Sequence, residues 1–91
     1  MFRVIYMRAD YEPWWQFDEW EQAIQQESVH TTIEEAEAAL AVLLEKFRAN
    51  YPNELVKDDM YAFWKEGEIV YCEACEDDGQ IYHGLFIQKI D

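Results

Sequence analysis

The residues of this chain best equipped for chemistry are two thiols and an imidazole. Cys72-Glu73-Ala74-Cys75 separates its thiols by two residues, and His83 follows in the stretch YHGLF. A Cys-x-x-Cys pair can hold a tetrahedral Zn²⁺ through both thiolates and leaves two positions for other groups. His83 would fill one, and His30, Asp77 or Asp78 the other. The second Cys-x-x-Cys that would complete the usual zinc pattern is absent. A redox role needs a thiolate stabilised by cations or a helix N-terminus. Here Glu73, Glu76, Asp77 and Asp78 surround the pair with negative charge, which opposes it. The third reading makes Cys72 and Cys75 small buried hydrophobes beneath a hairpin.

A second set of residues invites a binding role. The segment EPWWQFDEW carries Trp14, Trp15 and Trp20, and Trp64 follows later in AFW. These rings can form a platform for a ligand or partner, with Trp15 the one most readily spared from packing. Alternatively they close the core, since one large ring buries about 150–250 Å². An enzymatic variant would set His83 as a base beside a Trp14/Trp15 cleft. No Gly-rich phosphate loop, Gly-x-Ser-x-Gly elbow or His-Glu-x-x-His occurs, so no catalytic residues are assigned.

The elements that must position these groups centre on Thr31–Asn50. Ile33, Ala36, Leu40, Leu43, Leu44 and Phe47 recur at three- and four-residue steps, which places them on one face of a helix over about 32–49. Thr31 with Glu34, or Thr32 with Glu35, supplies a capping box. Asn50 suits a left-handed closing position and Pro52 bars continuation. Phe2–Arg8 reads as an interior strand with Phe2, Val4 and Tyr6 on one face and Arg3, Ile5 and Met7 on the other. Pro13–Gln25 reads as a short Trp-rich helix or an ordered loop, and Glu27–Thr31 as a short strand. Leu55-Val56 suggests an edge strand. Met60–Trp64, Ile69–Cys72 and Gln80–Ile90 read as consecutive hairpins. The expected fold is α+β: an antiparallel sheet of about four strands with the long helix on one face, in one domain spanning 1–91.

Composition narrows the function. Twenty acidic residues against seven Lys and Arg give a net charge of −13. Such a surface repels a nucleic-acid backbone, so direct nucleic-acid binding is not expected; it serves solubility first, as a solvated face with no partner, and could alternatively steer the chain towards a basic protein partner. The N-terminal MFRVIYMRAD lacks the apolar run of a signal peptide, and no segment reaches membrane-spanning length. A cytoplasmic, non-membrane protein is expected.

The strand followed by ADYEPWWQFDEW, the helix opening TIEEAEA, AFW at 62–64 and YCEACEDDGQIYHGL at 71–85 carry a resemblance over nearly the whole chain. It resembles a family of small bacterial proteins catalogued as a domain of unknown function, family number 1033. The resemblance implies a cytoplasmic bacterial protein and supplies no catalytic residues, substrate or cofactor. The leading expectation is a non-enzymatic interaction or regulatory module, with mimicry of nucleic acid as a special case. The alternative is a small zinc protein using Cys72, Cys75 and His83.

Overall fold

The computed structural model describes residues 1–70 and 79–90. In chain order its elements are β1 (Phe2–Ala9), a single 3-10 turn (Trp20–Ala23), β2 (Ile24–His30), α1 (Ile33–Asn50), β3 (Asn53–Lys57), β4 (Met60–Trp64), β5 (Ile69–Val70), β6 (Gly79–Gln80) and β7 (Tyr82–Lys89). The architecture is α+β, as expected. Five strands form one antiparallel sheet in the order β2-β1-β7-β4-β3, and β5 with β6 forms a separate two-stranded ribbon.

Side-chain alternation on β1 sorts the interior into two cores. Val4 joins Ala36, Leu40, Leu44, Phe47, Phe63 and Leu85 beneath α1, with Tyr6 packed against them. Ile5 and Met7 point to the far side and pack with Trp20 and Phe86. The helix links β2 at one edge of the sheet to β3 at the other, so it crosses the sheet, lying mainly on β7, β1 and β2.

Both helix ends follow from local chemistry. Thr32 is extended and its hydroxyl accepts the Glu35 N–H at 3.2 Å, which makes Thr32, of the two candidate threonines, the N-cap. At the C-terminus Asn50 does not take the left-handed closing position. It stays helical and donates its side-chain amide to the Lys46 carbonyl, and Tyr51 leaves in an extended conformation. Pro52 dictates that exit, because the residue before proline is driven out of the helical region.

Two expectations need correction, and one pair of alternatives is resolved. The strand expected at Glu27–Thr31 is longer and starts earlier, since pairing with β1 begins at Ile24. The polar run Gln25–Glu27 conceals this: at a sheet edge such side chains face water without cost. Of the two consecutive hairpins, the expected pairing of Met60–Trp64 with Ile69–Cys72 does not form among the described residues, whereas Ile69-Val70 does pair with Gly79-Gln80. β4 pairs directly with β7, bringing the buried Phe63 and Leu85 together under the helix, while the half-exposed Ile69 and its neighbour pair with Gly79-Gln80 alone. Of the two readings of the Trp-rich segment, the ordered loop is the one that forms, with one 3-10 turn at Trp20–Ala23 before β2 begins at Ile24. Its anchors pull in separate directions. Pro13 is fully buried on Gly84, Trp20 packs on Phe86 with ring centroids 5.7 Å apart, and Glu19 reverses the chain at φ 66°.

The Pro13 anchor depends on a missing side chain. A Cβ on Gly84 would lie 2.6 Å from Pro13 Cβ and 3.0 Å from Met7 Cγ. Any other residue at 84 would push the loop off the sheet.

Candidate functional site

His83 is 3% exposed and stands at the centre of a polar line whose two ends, Tyr6 and Glu68, are half-buried. Its Nδ1 lies 2.7 Å from the Tyr6 hydroxyl and its Nε2 2.5 Å from Glu68 Oε1. A carboxylate only accepts, so Nε2 donates its proton to Glu68, while Nδ1 and the Tyr6 hydroxyl share the second hydrogen bond. The Tyr51 ring lies 4.4 Å from the imidazole, and the edge of Phe47 closes the other approach. Burial pushes the Tyr6 phenol above its usual 10.0, with further upward pressure from Tyr51 and Glu68 and relief from Arg8. Tyr6 therefore keeps its proton at neutral pH and is no phenolate nucleophile. The three groups are in the order of a catalytic relay, but Tyr6 and Glu68 occupy both ring nitrogens and leave the imidazole no free position for a substrate. What the line does is fasten β1, β7 and the approach to β5 together.

That occupation bears on the metal expectation. His83 can ligate an ion only by giving up Tyr6 or Glu68. His30 pairs with Phe2 in the sheet register while His83 pairs with Arg8, six residues along β1, or about 20 Å. Its Nε2 bonds Ser28 Oγ at 2.8 Å. One ion cannot reach both imidazoles. Among the described residues no group of three or more His, Cys, Asp and Glu is arranged to hold a metal. Cys72, Cys75, Asp77 and Asp78 lie outside the described residues.

The four tryptophans separate. Trp20 is buried and belongs to the far-side core. Trp64 is half-buried and meets Tyr82 edge-on at 5.4 Å, and Trp14 is also half-buried. Trp15 alone remains 49% exposed, and Phe17, which sequence reasoning did not single out, is 56% exposed. Their rings are nearly parallel, with centroids 6.3 Å apart. The Trp15 indole N–H donates to Glu12 at 2.8 Å, Lys57 stands 5.7 Å over the Trp15 ring, and Tyr11 meets Phe17 edge-on. Leu55, two residues before Lys57 and on the same face of β3, is also half-exposed. These rings lie on the far side of the sheet, so Trp15 and His83 share no cleft. Sequence missed Glu68 and Tyr6 as partners of His83 because they are 15 and 77 residues away. The pairing of β1 with β7 would have revealed Tyr6, whose parity matches that of His83.

A five-stranded sheet with one crossing helix, a sealed histidine network and an outward aromatic pair defines a small α+β protein. The chain belongs to the family described as Protein of unknown function (DUF1033), whose model matches residues 1–90. No curated protein and no solved structure matches it. Among the described residues no helix is long and apolar enough to cross a membrane.

Proposed function

We propose that this protein is a non-enzymatic, cytoplasmic protein-interaction module whose principal contacts are Trp15 and Phe17. One observation carries the reading: two large rings stack on each other while about half of each stays in water. A small domain whose other described aromatics are buried or half-buried has a physical reason to bury these two as well, unless a partner does so. Exposed aromatics held rigid by neighbours are the usual anchors of an interface, because little side-chain entropy is lost when they are covered. Glu12 and Lys57 hold Trp15 in this way. The net charge of −13 favours a partner with a basic rim.

The test is a photocrosslinking residue placed at Phe17 and, as control, at Val42, which is 67% exposed on the outer face of α1. Crosslinking in cells should give a discrete product from position 17 that disappears in the Trp15→Ala background, with none from position 42. The same products from both positions would overturn the assignment.

A further inference from the structure

A cleft of about 520 Å³, within the range of small-molecule sites, runs along one flank of α1. Phe2 of β1, Ile87 of β7 and Tyr61 of β4 line it on the sheet side, together with Asp59 from the turn between β3 and β4. Leu40, Leu44, Tyr61 and Ile87 are among its apolar lining, and the exposed residues at its margin include Glu37, Asp59 and Lys89.

The charge of that margin bears on the occupant. Glu37 and Asp59 outnumber Lys89, and none of the three makes an ion pair among the described residues. Their charges are therefore available to a bound molecule. Asp59 is also held at φ 60°, in the second position of the two-residue turn between β3 and β4. A turn with positive φ at both central residues favours glycine there.

The geometry points to a binding site for a small amphiphilic cation. An aliphatic body lies against Leu40, Leu44, Tyr61 and Ile87, and an ammonium group meets the carboxylates of Glu37 and Asp59. This site is on the helix side of the sheet, opposite Trp15 and Phe17, and does not depend on the interaction surface proposed above.

The experiment titrates ¹⁵N-labelled protein with octylammonium and, separately, with octanoate at the same ionic strength. It uses the wild type, Glu37→Gln and Ala41→Trp. Ala41 is exposed on the groove flank, so a large ring there plugs the cleft while the core is left alone, and the amide spectrum reports whether each variant is folded. Octylammonium should bind saturably with a Kd on the order of 1 mM or tighter, with shifts centred on Leu40–Leu44, Tyr61 and Ile87. Binding should weaken about tenfold or more in Ala41→Trp, and several-fold in Glu37→Gln. Octanoate should bind at least about tenfold more weakly than octylammonium. Shifts that never saturate or scatter over the acidic surface would overturn the site. So would equal binding of octanoate, or undiminished binding by Ala41→Trp.

Discussion

The Tyr6 hydroxyl lies 2.7 Å from His83 Nδ1, and this contact joins the two longest strands across the middle of the sheet. Because Glu68 occupies the other nitrogen, the imidazole is satisfied on both sides while almost wholly withdrawn from water. Removing either partner strands a buried polar atom. Tyr6→Phe is expected to cost about 1–3 kcal/mol of stability in urea denaturation, and Glu68→Leu a similar amount. A loss below about 0.5 kcal/mol for both would show that water replaces the missing groups.

The same contact sets a pH dependence with a definite sign. The native phenol of Tyr6 holds its proton above the unfolded value of 10.0, chiefly through burial. The unfolded chain therefore loses this proton first, so stability is unaffected by Tyr6 below that value and falls as pH rises through the raised native pKa. Tyr11, Tyr51 and Tyr82 are also pushed upward by burial and act in the same direction. Urea midpoints at about pH 9 and about pH 11 should fall in the wild type and fall less in Tyr6→Phe.

Gly84→Ala should detach the aromatic loop. The added methyl would lie 2.6 Å from Pro13 Cβ, far inside van der Waals contact. Overpacking of this kind costs about 1–3 kcal/mol, or a fall in Tm of several degrees for a domain of this size. Trp15 fluorescence should shift to the red as Glu12 and Lys57 lose their hold on the ring. An unchanged Tm would mean that the loop adjusts freely.

Trp20 and Trp15 should respond differently to truncation. Trp20→Ala removes a ring packed on Phe86 in the far-side core and is expected to cost about 3–5 kcal/mol. Trp15→Ala, at a half-exposed ring, should cost less than about 1 kcal/mol. Thermal melts of the two variants side by side check this, and similar losses would contradict the division between core and surface.

Asp59→Gly should stabilise the fold by roughly 0.5–1 kcal/mol, since glycine enters the left-handed region without the penalty a side chain meets. The same change removes one of the two carboxylates from the groove. A gain in Tm together with weaker octylammonium binding is the expected pair of results.

The helix and β1 were legible in the sequence because their signals are local: a 3.6-residue apolar stripe with caps, and a run of β-branched and aromatic residues apolar on both faces. β2 was read short because its edge position removes the apolar alternation that would mark it. The loop at Pro13 was ambiguous for a different reason. Its shape is set by Gly84 and Phe86, which lie far along the chain, and a proline followed by spaced rings fits both a helix and an anchored loop. The candidate site divided the same way. Trp15 was recognisable as a surplus ring, whereas Phe17 was not, and the partners of His83 depended on strand register.

The central claim is that Trp15 and Phe17 are exposed in order to be covered by another protein. Its most direct measurement is quantitative co-isolation from cells of the wild-type chain, the Trp15→Ala/Phe17→Ala double variant and a Val42→Ala control, with equal Tm confirmed for all three. The account predicts a partner recovered with the wild type and the control and reduced about tenfold or more with the double variant, as befits loss of two central aromatic anchors. Equal recovery of every associated protein by the double variant would contradict it.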